Sequence, residues 1–147
     1  PHFDKFIWLA RDPRDAYLST VKSKYAYLMW RPGKKVNGID TGLLQRWQRI
    51  YQTYLDDPER WHLVKYEELA NDTDATLEKL LDYLELPHAQ LLPFKKFNGI
   101  KGGDQKIKKT TTVQSKSAGR HKKELTEQQR EVFHNLLGNE MRRLAYA

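Results

Sequence analysis

Two kinds of hydrophobic pattern follow one another along the chain: short continuous apolar runs and longer repeats with helical spacing. The apolar run at 6–10 is too short for a helix and predicts a buried strand, and the segment 61–66 predicts a second strand. Helical repeats bounded by caps and prolines predict the helices. These run from Pro13 toward Trp30, from Thr41 to Leu55, across a leucine-rich stretch with helical spacing from Leu77 to Leu84, and from a Thr126 capping box toward the C-terminal end. Apolar strands alternating with helices predict an α/β fold with a parallel sheet.

The predicted sheet is small for such a fold. Two paired strands lack the buried area needed for independent stability, and the first strand begins only a few residues into the 147-residue chain. A chain of this length suits one domain. We therefore expect residues 1–147 to form a single domain that is the C-terminal part of a larger fold.

Composition removes several classes of protein. The sequence contains no cysteine, which excludes disulfides and thiolate metal sites, and its five histidines show no metal-ligand spacing, so we expect no metal. No apolar run approaches the ~20 residues of a membrane span, and no signal-peptide pattern opens the sequence. We expect a cytoplasmic protein without membrane contact, with the Golgi lumen as the alternative compartment.

Basic charge is concentrated in one part of the chain. The formal net charge is +7, and the segment 95–123 alone holds ten basic residues and one acid, Asp104. This segment contains several Gly and Thr residues and shows neither helical nor strand periodicity, which predicts a long loop. Two interpretations are open: a solvated lysine-rich loop, or a loop that folds over an anion.

The strongest chemical signal is the stretch RDPRDAYLS, from Arg11 to Ser19, at the turn from the first predicted strand to the first helix. Open α/β folds bind ligands at such turns, and the amides and dipole of a helix start favour an anion. Arg11 adds a fork of donors suited to phosphate oxygens, and Ser19 shares a helix face with Asp12 and Asp15. The structural alternative is that Asp12 caps the helix, Arg11 pairs with a carboxylate and Ser19 has no role.

RDPRDAYLS resembles the 3′-phosphate-binding motif of sulfotransferases that use 3′-phosphoadenylyl sulfate (PAPS). The resemblance continues in order along the chain. Tyr66–Leu69 is similar to the Tyr-Glu-(Glu/Asp)-Leu segment that follows the family's second strand, and 103–106 is similar to a Gly-Asp-Pro-Lys motif with Gln105 in place of proline. Ser115–Lys122 is similar to the Ser-x-Gly-Arg-Trp-Lys segment with His121 in place of tryptophan, and the last predicted helix is similar to the family's closing helix.

The resemblance implies a P-loop-NTPase-like parallel sheet with flanking helices, of which this chain is the C-terminal portion. It implies PAPS as the cofactor, 3′,5′-adenosine bisphosphate as its product, and transfer of a sulfuryl group to a hydroxyl or amine. By the same resemblance, Arg11 and Ser19 contact the 3′-phosphate and Tyr66 lies near the adenosine. The residues expected to close over the 3′-phosphate are Ser117, Gly119 and Arg120.

The family also needs a lysine-bearing phosphate loop and a general base ahead of the RDPRD-type motif. The sequence has no G-x-x-x-x-G-K-[ST] pattern, and His2 stands too close to the first strand to be that base, so the catalytic residues are unknown. We expect the missing N-terminal half to come from the same chain or another, and the segment to be inactive without it. The expected acceptor is a small molecule, a carbohydrate or a protein.

Two other interpretations belong to different functional classes. A basic non-catalytic module would bind nucleic acid or another polyanion through its net charge. Aromatic residues do not interleave with the basic segment and no nucleic-acid-binding motif is present, so nucleic acid is not the expected partner. A degenerate remnant would bind neither ligand. Selectivity for 3′,5′-adenosine bisphosphate over 5′-AMP separates a sulfotransferase site from both.

Overall fold

The computed structural model describes residues 4–23, 33–88 and 117–146. Its elements, in chain order, are β1 (Phe6–Ala10), α1 (Pro13–Val21), β2 (Lys35–Val36), β3 (Ile39–Asp40), α2 (Thr41–Asp56), a 3-10 turn (Pro58–Arg60), β4 (Trp61–Lys65), α3 (Tyr66–Asn71), α4 (Thr73–Leu84), α5 (His121–Glu124) and α6 (Glu127–Arg143). The predicted α/β fold with a parallel sheet and flanking helices is confirmed. Most of the predicted basic loop lies outside the described residues.

The parallel sheet consists of β1 and β4 within the described part of the chain. Phe6 lies opposite Trp61 and Ala10 lies opposite Lys65. Parallel pairing puts the carboxyl ends of both strands at one edge of the sheet, so the next residues along the chain start from neighbouring positions. This edge is where an open α/β sheet binds its ligands.

The two faces of β1 differ in burial. Trp8 packs against the hydrophobic core and Ala10 belongs to it. Helices α3 and α4 pack against β4, while Ile7 and Leu9 of β1 stay 43% and 63% exposed. One apolar face of β1 is therefore only partly covered by the described residues.

Helix α1 is shorter than predicted. Asp12 accepts a hydrogen bond from the Arg14 backbone N–H at 2.9 Å, and proline occupies the first helical turn, as the sequence indicates. The helix ends at Val21, not near Trp30; residues 24–32 lie outside the described residues. The β-branched pair Thr20 and Val21 weakens its last turn, which closes through the Ser23 N–H on Thr20 O.

A short antiparallel hairpin of β2 and β3 was not predicted. Asn37 and Gly38 form its turn with φ values of 49° and 81°. Asn-Gly is a strong hairpin signal because both residues tolerate positive φ. The hairpin delivers Asp40 to the start of α2, where its carboxylate caps the Leu43 N–H at 3.1 Å.

The core lies between α1, α2 and α6. Leu44 of α2 and Phe133 and Leu137 of α6 are fully buried, and Tyr17 of α1 meets the Phe133 ring edge-on. The predicted capping box at Thr126 is present. Helix α4 forms at the predicted leucine-rich stretch, but none of its residues is fully buried in the described structure. No helix in the three described ranges has both the length and the apolar character to cross a membrane.

Candidate functional site

Three segments meet at the carboxyl edge of the sheet. Arg11 follows β1, Tyr66 follows β4, and Ser117 arrives from the C-terminal part of the chain. The Arg11 guanidinium carbon lies 4.4 Å from the centre of the Tyr66 ring, and Arg11 Nη2 donates to the Ser117 carbonyl at 3.0 Å. The hydroxyls of Tyr66 and Ser117 are 2.6 Å apart and hydrogen-bonded. The structure thus brings together three residues that the sequence assigned to one site.

Arg11 is held in place but not saturated. Its carbonyl accepts a hydrogen bond from the Tyr51 hydroxyl at 2.8 Å, which fixes the backbone. Its Nε is buried and has no hydrogen-bond partner among the described residues. A buried guanidinium N–H without an acceptor is costly, and an oxyanion is the group that a guanidinium fork binds best. Since Nε has almost no accessible surface while the side chain as a whole is partly exposed, an oxyanion would meet the outer part of the guanidinium, beside Tyr66 and Ser117.

The second arginine of the motif has a different role. Arg14 forms an ion pair with the Asp12 carboxylate at 2.6 Å and also donates to the Tyr146 carbonyl. Asp12 also accepts the Arg14 backbone N–H and so caps α1, as the structural alternative in the sequence analysis predicts. Among the described residues, however, no carboxylate pairs with Arg11. Arg14 thus bonds to the C-terminal end of the chain, whereas Arg11 contacts Tyr66 and Ser117.

A fully buried carboxylate anchors the segment that carries Ser117. Asp15 in the first turn of α1 accepts hydrogen bonds from the backbone N–H groups of Gly119 and, at 2.7 Å, His121. The His121 ring nitrogen Nδ1 lies 3.1 Å from the same carboxylate. Sequence reasoning placed Asp15 on the helix face but missed this contact, because the partners are more than a hundred residues away.

Gly119 and Arg120 follow Ser117 in the same segment. Gly119 has a φ of +74°, which favours glycine. The Arg120 guanidinium donates to Glu124 at 2.8 and 3.2 Å, and Lys22 donates to the same carboxylate. These hydrogen bonds, Arg120's first, lower the pKa of Glu124 to about 2. Arg120 is thus partly engaged by a carboxylate, unlike Arg11.

Ser19 is separate from this cluster. It lies on α1 with an exposed side chain, and within the described residues no hydrogen bond joins it to Arg11, Tyr66 or Ser117. Its assignment to the 3′-phosphate stays a prediction.

Beside the cluster lies an open cleft of about 700 Å³. Its wall includes Gly119, and it carries both acidic and basic groups, among them Glu67 and Lys65. Glu67 accepts the Asp12 N–H at 3.0 Å and the Tyr146 hydroxyl at 3.1 Å. Burial, followed by the nearby Glu67 charge, raises the pKa of Tyr146. Much of the polar lining is already paired, and the cleft lacks Arg11, Tyr66 and Ser117.

No group of three or more metal-ligating side chains occurs within the described ranges. The groups that converge around Arg11 are a guanidinium and two hydroxyls, while the neighbouring Asp12 and Glu67 carboxylates are already bonded, to Arg14 and to the Asp12 N–H and Tyr146 hydroxyl respectively. This donor set is suited to an anion rather than to a cation.

The fold is that of an α/β protein, with a guanidinium and two hydroxyls gathered at the carboxyl edge of its sheet. The family model described as the sulfotransferase family matches residues 4–90, which include Arg11 and Tyr66. The chain belongs to this family.

A solved structure shows the same fold. The chain is similar to a sulfotransferase domain from the curacin biosynthetic pathway, with a TM-score of 0.65 and 21% sequence identity. The alignment covers 97% of this chain and 54% of that one, so this chain spans about half the length of the solved domain. No curated protein sequence matches.

Proposed function

We propose that this chain binds the 3′-phosphoadenosine half of PAPS and serves a sulfotransferase that transfers a sulfuryl group to a hydroxyl or amine. The observation that carries the proposal is the convergence of the Arg11 guanidinium with Tyr66 and Ser117 at the carboxyl edge of the sheet. Family membership supports a sulfotransferase-like function, and the Arg11 geometry supports an anionic ligand at the sheet edge.

Each proposed contact follows from the chemistry of the side chain. Arg11 would bind the 3′-phosphate through the exposed part of its guanidinium, which stays stacked on Tyr66. Tyr66 would lie beside the adenosine, and its hydrogen bond to the Ser117 hydroxyl couples the two residues. Ser19 would reach the 3′-phosphate from α1. This last contact requires the 3′-phosphate to lie between the Arg11 guanidinium and Ser19.

The segment after Ser117 would close the site. The Gly119 backbone lets the segment turn without a side chain, and Arg120 would add a second guanidinium to the phosphate. Because Arg120 is already bonded to Glu124, a phosphate would have to share or displace that carboxylate. We therefore expect Arg120 to contribute less binding free energy than Arg11.

PAPS, when bound, supplies the sulfuryl group, and sulfuryl transfer depends mainly on positioning and on cations that stabilise charge. The described residues of the site supply cations and orientation for the nucleotide. We propose that the loop for the 5′-phosphosulfate and the general base come from a further segment of the same chain or from another chain. The partly exposed β1 face, with Ile7 and Leu9, is consistent with such an addition.

We propose that the acceptor is a small molecule, a carbohydrate or a protein. The described residues offer no contact that would select among them. Fold and cofactor site do not determine the acceptor of a transferase.

Calorimetric titration tests the proposal. Wild-type protein should bind 3′,5′-adenosine bisphosphate more tightly than 5′-AMP, which lacks the 3′-phosphate. Arg11→Ala should lower the bisphosphate affinity about ten- to hundredfold, the value of hydrogen bonds to a charged group, and erase most of the selectivity. Arg49→Ala is the matched control, because Arg49 is exposed on α2. Equal binding of both nucleotides by folded wild-type protein would refute the 3′-phosphate assignment.

A further inference from the structure

We propose that Asp15 is a positioning residue that fixes the segment 117–121 in the conformation needed for the nucleotide. This inference rests on the proposed function and adds to it a residue with no expected contact to the ligand. Asp15 is fully buried, with 0% exposure. It can therefore act on a ligand only through the groups that it holds.

Both oxygens of the Asp15 carboxylate accept hydrogen bonds from one short segment of the chain. One oxygen accepts the Gly119 N–H, and the other accepts the His121 N–H at 2.7 Å and contacts the His121 ring nitrogen at 3.1 Å. Hydrogen bonds to an ionised acceptor are roughly twice as strong as neutral ones. A negative charge in the first turn of α1 is also favoured by the helix dipole. Asp15 thus joins helix and segment through several charge-assisted contacts.

Other hydrogen bonds fix the two ends of the segment: Ser117 bonds to Arg11 and Tyr66, and the Gly119 and Arg120 carbonyls accept N–H groups of α5. A Cβ added at Gly119 would meet no atom within 4 Å, so side-chain packing does not hold the chain at this residue. Leu125, which lies in the core, anchors the chain beyond α5. Between that anchor and Ser117, the Asp15 carboxylate fixes the backbone amides.

The consequence for the site follows from chain connectivity. Ser117 is two residues before Gly119, and its carbonyl and hydroxyl contact Arg11 and Tyr66. Arg120 lies between the two amides that Asp15 holds. Moving this backbone by about an ångström would misplace the hydrogen-bonding groups on both sides, a displacement large enough to impair a positioned site. Asp15 therefore determines where Ser117 and Arg120 lie relative to Arg11.

The test compares two buried aspartates at helix starts. Asp15→Asn removes the charge and turns one acceptor into an amide that faces an N–H donor. Asp40→Asn makes the same change at α2, where the carboxylate holds the Leu43 and Gly33 N–H groups away from the site. We expect Asp15→Asn to weaken 3′,5′-adenosine bisphosphate binding by about tenfold or more and to reduce its preference over 5′-AMP. Asp40→Asn should lower the midpoint of urea unfolding and leave that preference unchanged.

Amide hydrogen exchange without ligand separates this inference from the proposed function. Asp15→Asn should speed exchange at Gly119 and His121 while the amides of α6 stay protected. If wild-type protein ignores the bisphosphate, the proposed function fails, but exchange still reports whether Asp15 holds the segment. Unchanged exchange in Asp15→Asn, or an equal loss of selectivity in Asp40→Asn, would overturn the inference.

A wild-type measurement keeps the inference testable if Asp15→Asn does not fold. The Gly119 and His121 amides of folded wild-type protein should exchange far more slowly than those of an unstructured chain. Exchange at the unstructured rate would overturn the anchoring role.

Discussion

The two arginines of the RDPRD stretch show how burial and pairing separate residues that look alike in sequence. Arg14 is neutralised by Asp12 and tied to the Tyr146 carbonyl. Arg11 lies on the Tyr66 ring with its Nε unpaired among the described residues. A substitution should therefore affect folding at Arg14 and ligand binding at Arg11.

Arg11→Lys tests whether the guanidinium fork matters beyond its charge. Lysine keeps the positive charge but lacks the Nε donor and the planar group that stacks on a ring. We expect about tenfold weaker binding of 3′,5′-adenosine bisphosphate in calorimetry. Arg14→Lys is the control; it should reduce the free energy of unfolding by about 1 kcal/mol and keep nucleotide selectivity. Wild-type affinity in Arg11→Lys would show that charge alone suffices.

Gly119 offers a test of backbone conformation without steric interference. Its φ is +74°, and the space that a side-chain carbon would occupy there is open. Gly119→Ala should therefore cost about 1 kcal/mol, the penalty for a left-handed residue, and weaken bisphosphate binding. Gly119→Asn should cost less, because asparagine tolerates this region. Urea unfolding and calorimetry measure both effects, and equal behaviour of the two variants would contradict the conformational explanation.

At the scale of elements, α5 restrains one of the predicted phosphate ligands. Glu124 at its end accepts hydrogen bonds from Arg120 and Lys22, and these bonds lower its pKa to about 2. A phosphate at Arg120 would be repelled by this carboxylate. Glu124 therefore opposes the binding of the ligand that Arg120 is expected to hold.

Glu124→Gln should strengthen bisphosphate binding severalfold, because it removes a negative charge and frees guanidinium donors. Calorimetry at low salt measures the effect. Glu131→Gln is the matched control, since Glu131 is exposed on α6 and its substitution changes the net charge equally. Weaker binding in Glu124→Gln would mean that Glu124 orients Arg120 for the ligand instead of competing with it.

Local patterns predicted much of the fold, and contacts distant in sequence were the part they missed. Strand β1 and the Thr126 capping box follow from neighbouring residues and were predicted. The Asn37–Gly38 turn carried a local signal that was overlooked. The predicted length of α1 was wrong because no glycine or proline marks the end of the helix at Val21.

The same difference between local patterns and distant contacts applies to the site. Arg11, Tyr66 and Ser117 were assigned by motif resemblance, and the structure brings them into contact. The anchoring by Asp15 was missed, since it pairs with backbone amides more than a hundred residues away. Because almost every residue type has a backbone N–H, such a donor cannot be recognised from the amino-acid sequence.

At the scale of the whole molecule, the site uses specific geometry within a basic chain. The net charge is +7, which would attract any polyanion. The Arg11 cluster, in contrast, presents one oriented guanidinium between an aromatic ring and a fixed carbonyl. Binding through net charge and binding through a specific site should respond differently to salt concentration and to a single substitution.

Salt dependence should separate a nucleotide site from a general polyanion-binding surface. A bisphosphate carries few charges, so we expect its affinity to fall only severalfold between about 50 and 200 mM salt. A nucleic-acid surface with six to ten phosphate contacts would lose about 10³- to 10⁵-fold over that range. Parallel titrations with the bisphosphate and a single-stranded oligonucleotide measure both slopes.

Arg11→Ala completes that comparison, because it removes one charge from a chain with 26 basic residues. Loss of a single phosphate contact reduces a polyanion's salt slope by about 1, which is a small part of a many-contact interaction. The same substitution removes the proposed centre of the nucleotide site. We therefore expect bisphosphate binding to collapse while any oligonucleotide binding is nearly unchanged. The reverse result, tight oligonucleotide binding with no bisphosphate selectivity, would favour the basic-module interpretation over the nucleotide site.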